Sequence, residues 1–160
     1  MEMEIAKFAQ TDQPAIAAFW ISIYEEMNWP VKYLDGFDDI PAYFGYPHGF
    51  LLTVKDKQQL IGCGGIKPLN QTTGIIKRFY IVHKHRGQGV AAKLLQNLIT
   101  ESKQRHLNRL VLDVHFKNTR AIKFYEKHGF SRYTQLPNPH WPESQNPDKF
   151  FYYQQDISDQ

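Results

Sequence analysis

The sequence predicts an α/β chain of the α+β kind, a mixed sheet flanked by helices. Three observations predict it. Short apolar-rich runs follow one another from residue 50 on, two of them joined by a turn, as strands do. From residue 74 on, strand-like and helix-like runs alternate. The helix-like runs carry start and stop signals: Thr11 and Asp12 before Pro14, Asn118 before the run at 119, and Gly129 after it.

The elements follow in order. MEIAKFA (3–9) alternates and reads as a strand. Ile16, Phe19, Ile23 and Met27 recur at helical spacing and predict a helix over about 13–27. Residues 28–49, rich in proline, glycine and aromatics, read as a loop with one short helix. FLLTVKD and QQLIGCGGIKPL are two strands with a turn at Asp56-Lys57, and GIIKRFYIV (74–82) is a third. Val90, Leu94 and Leu98 mark a helix over about 87–104. RLVLDVH (109–115) is a strand, and 119–127 a helix capped by Asn118. SRYTQLP (131–137) and DKFFYYQQDI (148–157) are the last strands, separated by a proline-rich loop.

Bulk properties narrow the function. The 160 residues suit one domain spanning 1–160, with 42% apolar and 22% charged residues typical of a soluble globular chain. A net charge of +3 suits an anionic small ligand and is too low to argue for nucleic acid. The basic run IKRFYIVHKHRG also lacks an RNA-binding pattern. The single cysteine, Cys63, excludes an internal disulfide and reads as a small buried hydrophobe. There is no apolar run long enough to span a membrane and no hydrophobic signal core near Met1, so a cytoplasmic location is expected.

The chemistry concentrates in Arg86-Gly87-Gln88-Gly89-Val90-Ala91. The first N–H groups of a helix have no intrahelical partner, and their dipoles sum to a partial positive charge. Glycines let an anion reach the main chain, and Arg86 adds a fork of donors. The same six residues also suit a plain glycine-rich helix entry with a solvated arginine. A P-loop is excluded, because no Lys-Ser or Lys-Thr follows. A dinucleotide fingerprint stays open, since GQGVAA ends in alanine and Asp113 lies near the required distance. His83 and His85 lack companion ligands at metal-site spacing, so no metal is expected.

Arg86 to Ala91 match the acyl-CoA signature Q/R-x-x-G-x-G/A of the GNAT N-acetyltransferases. NTRAIKFYEKHGF (118–130) is similar to their second motif, N-x-x-A-x-x-F/L-Y-E-K-x-G-F. The resemblance covers about residues 60–135. It implies an acyl-CoA N-acyltransferase fold with a mostly antiparallel central sheet. It implies acetyl-CoA as cosubstrate and direct acetyl transfer to a primary amine, a small molecule or amino acid derivative, with no metal. A catalytically weak acyl-CoA sensor or interaction module of the same fold is the alternative. The resemblance puts the pyrophosphate on the amides of Gln88, Gly89, Val90 and Ala91, with Arg86 and Gly87 shaping the approach. It puts the pantetheine arm beside Phe79, Tyr80 and Ile81 and on Asn118. A bulge in that strand is implied, with Ile81 N–H as the oxyanion donor and the Tyr125 hydroxyl protonating the leaving thiolate. By spacing alone, Tyr125 also suits a core tyrosine packing a helix on a sheet.

One position departs from the family. Where many relatives read E-I/L-K-R-L/M-Y-V, this chain has Ile75 in the glutamate's place. His115 and Asp113, alternating on one strand face, are then candidate bases. The acceptor side in such a fold falls on the first helix, the loop after it and the loop before the last strand. The candidates there are Trp20, Tyr24, Glu25, Glu26, Trp29, Tyr33, Asp35, Phe37, Asp38, Asp39, Tyr43, Phe44, Tyr46 and His48, with His140, Trp141 and Glu143 from the later loop and His115 on the adjacent strand. Aromatics mixed with carboxylates suit a cationic amine. No nucleic acid or membrane partner is expected, and the sequence leaves room for a homodimer.

Overall fold

The computed structural model describes residues 1–30 and 36–158; Tyr33 and Asp35 lie outside them. Strands β1 (Met3–Lys7), β2 (Phe50–Asp56), β3 (Gln59–Pro68), β4 (Thr73–Ile81), β5 (Arg109–His115), β6 (Ser131–Tyr133) and β7 (Phe150–Asp156) form one sheet in the order β1-β2-β3-β4-β5-β7-β6. Every neighbouring pair is antiparallel except β4–β5. The helices are α1 (Gln13–Met27), α2 (Ile40–Phe44), α3 (Val90–Gln104) and α4 (Thr119–Lys127).

Local chemistry accounts for the boundaries. The β2–β3 hairpin turns on Lys57 and Gln58, both left-handed at φ 49° and 69°, the conformation a two-residue turn of matching twist requires. Asp39 caps α2 by accepting the Ala42 N–H at 3.1 Å, and Asn118 caps α4 by accepting that of Ala121 at 3.3 Å. Helix α3 starts at Val90 and not at 87, because Gly87 and Gly89 take φ +78° and +81°. That is a left-handed path which a right-handed helix does not contain. Strand β6 ends at Tyr133, short of the expected Pro137. Beyond it Pro137, Pro139 and Pro142 lack the N–H that a ladder needs.

Helices α3 and α4 cover one face of the sheet. Val90, Leu94, Leu95, Leu98 and Tyr125 bury against Ile76, Ile81, Leu110, Leu112 and Val114. Helices α1 and α2 cover the other face through Ile16, Phe19, Trp20, Ile23, Ile40 and Phe44, packed on Leu51 and Cys63. Further along that face the β6–β7 loop folds Trp141 down on Ile75, Val111 and Tyr152. Each fully buried large aliphatic side chain here contributes about 1.5–3 kcal/mol.

Two features of β4 prepare the site. Its pairing with β5 stops at Ile75↔Val111, so the strands part above that point. Against β3, Lys77 faces Gly65 and Tyr80 faces Cys63, leaving Arg78 and Phe79 together opposite Gly64. This is a bulge, and Arg78 sits in it at φ +56°. Gly64 is what admits it: a Cβ there would lie 2.9 Å from the Phe79 ring.

Candidate active site

The parted strands open a cleft of about 420 Å³ between β4, the 86–89 loop, α4 and the end of α1. Phe79, Tyr80, Ile81, Arg86, Gly87, Gly89, Ala91, Asn118 and Tyr125 line it. Nine positions that the motifs single out are thus brought together from three segments. Gln88 and Val90 are not among the lining side chains. Gln88 is exposed and its side-chain amide donates back to Lys84 O at 3.4 Å, and Val90 is 1% exposed in the core beneath α3. Their backbone still belongs to the loop and the first turn.

The helix mouth is open. No side chain caps α3, and a Cβ built on Gly87 or Gly89 would meet nothing within 4 Å. Uncapped N–H groups beside empty space suit an anion such as a diphosphate. Arg86 does not offer its fork to that space. Its Nε donates to Ile81 O at 2.9 Å, while Nη1 and Nη2 donate to Glu26 at 2.9 and 3.1 Å. Sequence reasoning missed this, as Glu26 lies sixty positions away. It also passed over Arg120 and Lys127, which add positive charge to the cleft wall. Burial and the Arg86 charge hold the Arg120 pKa below the ordinary arginine value, with Glu26 pulling the other way.

At the inner end, Val82 donates its N–H to Ile61 O at 2.8 Å. Ladder alternation therefore turns the Ile81 N–H away from β3, toward the gap beside β5. The Tyr125 ring packs 6.1 Å from that of Phe79. Burial foremost, then the charge of Asp113 and the Tyr80 phenol, push the Tyr125 pKa up, so its hydroxyl stays protonated. Across the gap Lys77 Nζ lies 3.6 Å from Asp113 Oδ1 and 3.3 Å from Glu143 Oε1. Burial opposes the Lys77 charge, and Asp113, Tyr43 and Glu143 more than offset it, raising its pKa.

The acceptor-side candidates scatter. Trp29 lines the cleft at 38% exposure. Tyr24 is buried and accepts a hydrogen bond from Arg78 Nη1. Glu25 is exposed on α1 and does not line the cleft. Trp141 is 1% exposed, edge-on to Tyr152 at 5.3 Å. His115 Nδ1 accepts the Lys117 N–H at 3.1 Å, and its ring stacks on Phe116 at 4.8 Å. Cys63 is buried, accepts from Trp20 Nε1 at 3.3 Å and donates to Arg78 O at 3.2 Å. Burial pushes its thiol up to about 12, which makes it inert. Among the described residues no three His, Cys, Asp or Glu side chains cluster as a metal site would need, and no helix is long and apolar enough to cross a membrane.

Residues 18–130 match the sequence pattern of the Acetyltransferase (GNAT) family. The chain belongs to the GNAT acetyltransferase family. Like other GNAT proteins it has named relatives: over 63 residues it is 41% identical to N-alpha-acetyltransferase 30 of Schizosaccharomyces pombe, covering 39% of this chain and 42% of that protein. The chain spans about half the length, or less, of the curated relatives it matches. The GNAT fold is reproduced along the whole chain. A GNAT acetyltransferase of Staphylococcus aureus Mu50 superposes with a TM-score of 0.84 at 18% identity, covering 98% of this chain and 99% of that one. The YncA protein of Salmonella typhimurium, solved with its cofactor acetyl-CoA, gives 0.77 at 16% identity, covering 100% and 96%.

Proposed function

We propose that this GNAT chain transfers the acetyl group of acetyl-CoA to a primary amine on a small molecule or amino acid derivative, by direct attack without a covalent enzyme intermediate. One observation carries the reading. The parting of β4 from β5 aims the Ile81 N–H and the Tyr125 side chain into the same cleft that the open mouth of α3 enters.

Acetyl-CoA supplies an activated acyl group as a thioester. The amides of Gln88, Gly89, Val90 and Ala91 hold its diphosphate, and Arg86, fixed on Glu26, shapes the loop and does not grip. Asn118 spends its oxygen on the α4 cap, which leaves its side-chain NH2 to donate to the pantetheine arm. The main chain of Phe79, Tyr80 and Ile81 faces that arm. The Ile81 N–H donates to the thioester oxygen as charge grows there, an effect of a few kcal/mol. The Tyr125 hydroxyl donates to the sulfur. A phenol is a weaker acid than a thiol. Its hydrogen bond therefore stabilises the departing thiolate, which takes a proton from water once released, while Tyr125 keeps its own.

That amine proton goes to Asp113. Ile75 cannot accept it, and it is fully buried. His115 already accepts at Nδ1, so its proton sits on Nε2 and the ring has no free basic nitrogen. Asp113 stands on β5 beyond the point where it parts from β4, with its carboxylate 3.6 Å from Lys77 Nζ.

The test is thiol release from acetyl-CoA with a panel of amines: polyamines, amino acids, amino acid amides and peptide N-termini. Turnover with a small amine, falling about 100-fold or more in Asp113→Asn, is expected. Acetyl-CoA binding without turnover on any amine would make the chain a sensor. No acetyl-CoA binding by calorimetry would end both readings.

A further inference from the structure

We propose that Arg78 is a positioning residue for acyl transfer: its caged cation holds the left-handed turn that aims the Phe79–Ile81 main chain into the cleft. The proposal rests on the acetyltransferase reading above and gives a role to the arginine of the K-R pair in β4, which lies outside the acyl-CoA signature and the second motif.

The backbone of Arg78 is where the cost lies. A non-glycine residue at φ +56° is disfavoured by roughly 1 kcal/mol or more, and it persists only if its surroundings enforce it. The surroundings do so from both ends of the residue. The guanidinium carbon lies 4.8 Å from the Trp20 ring centre, 5.2 Å from Tyr43, 5.5 Å from Tyr24 and 5.7 Å from Phe37. A cation over several aromatic faces in a desolvated box is strongly held. Nη1 donates to the Tyr24 hydroxyl, and the charge also faces the phenols of Tyr43 and Tyr80. At the other end, the Arg78 carbonyl accepts from Cys63, whose sulfur in turn accepts from Trp20.

The cage is built from α1, α2 and residue 37, the layer on the opposite side of the sheet from α4. The turn it holds feeds straight into Phe79, Tyr80 and Ile81, three lining residues of the cleft. If Arg78 relaxed to ordinary extended geometry, the bulge would close. The alternation of N–H groups along β4 would then shift by one residue, and the Ile81 N–H would turn toward β3. The Arg78 side-chain contacts with Trp20, Tyr24 and Tyr43 lie on the α1 and α2 side of the sheet, away from the 86–91 loop. It acts through the main chain.

The experiment compares Arg78→Gly, Arg78→Lys and Tyr24→Phe by calorimetry, turnover and amide NMR. Glycine keeps left-handed φ without strain but has no side chain to fix it. In the parent protein, acetyl-CoA is expected to shift the amide signals of Phe79, Ile81 and Gly89. In Arg78→Gly the Gly89 shift and acetyl-CoA affinity stay within about threefold, the Phe79 and Ile81 shifts vanish, and kcat falls at least tenfold with added ethylguanidinium restoring part of it. Arg78→Lys keeps a charge but not the planar fork, and is expected to lie between. Tyr24→Phe removes one hydroxyl and is expected to lower kcat less than Arg78→Gly while leaving the fold intact. Unchanged Phe79 and Ile81 shifts in Arg78→Gly, or turnover within twofold of the parent, overturn the proposal while leaving the acetyltransferase reading standing. A parent protein whose β4 amides ignore acetyl-CoA overturns that reading, and this proposal with it.

Discussion

The guanidinium of Arg86 forks onto the carboxylate of Glu26, at 2.9 and 3.1 Å, and so ties the loop at the mouth of α3 to the last turn of α1. The arginine of the signature loop is thereby a strut, neutralised by its partner, and on the proposed reading the anion is left to bare amides. Glu26→Gln tests this. Losing a partly exposed pair costs under about 1 kcal/mol. The freed guanidinium can then turn to the diphosphate. CoA affinity is expected to rise about threefold at low salt, with a steeper salt dependence, by calorimetry at two ionic strengths.

Gly87 and Gly89 are held by φ and not by crowding, since a Cβ at either meets no neighbour. Alanine at Gly89 is expected to cost about 1 kcal/mol, or roughly 2–4 °C of melting temperature. Its methyl group stands where an anion would approach, so acetyl-CoA affinity is expected to drop about tenfold or more.

Tyr125→Phe separates binding from chemistry. Acetyl-CoA affinity is expected to stay within about twofold while kcat falls by about 10–100-fold. Single-turnover kinetics with saturating amine read the difference directly.

Restoring the family glutamate at Ile75 is expected to harm the protein. Ile75 is 0% exposed, packed with Val111, Trp141 and Tyr152. A carboxylate there is buried among apolar groups, at a cost of several kcal/mol. Ile75→Glu is expected to lose soluble folded protein, whereas Ile75→Val costs about 0.5–1.5 kcal/mol. Chemical denaturation of both variants reads the contrast.

Glu101 sits between Lys7 at 3.2 Å and Arg105 at 3.0 Å. Burial raises its pKa, and the hydrogen bonds and charges of Arg105 and Lys7 outweigh that, so the folded value lies below the ordinary glutamate range. A depressed folded pKa contributes stability above the unfolded value near 4.3, and that stability is lost as pH falls through the folded value. Arg105 also donates to Pro47 O at 2.7 Å, so the loop before β2 loosens with it. Melting temperature is expected to fall from about pH 5 downward, and the fall should be shallower in Glu101→Gln.

The elements of this fold are legible in the sequence wherever they are set locally. Leu94 and Leu98 give α3 its buried stripe, and Asn118 and Gly129 bracket α4 because a cap and a left-handed stop are single-residue chemistry. The motif residues of the cleft are legible for the same reason. What escapes depends on pairing across distance. The bulge at Arg78 exists only in register against Gly64, the Arg86–Glu26 fork joins segments sixty positions apart, and the burial of Trp141 follows from where the β6–β7 loop lands. The late start of α3 was readable in principle from two glycines two residues apart in a helix entry, a spacing that suits a left-handed path better than a first turn.

The three tryptophans occupy unlike surroundings. Trp20 rests against the Cys63 sulfur and a guanidinium, Trp141 lies sealed beside Tyr152, and Trp29 stands at the rim of the cleft, 38% exposed. A thiol in contact quenches indole emission, and a sealed ring emits to the blue whatever happens outside. The red edge of the intrinsic fluorescence therefore belongs to Trp29, and occupancy of the cleft can be titrated by light without a label.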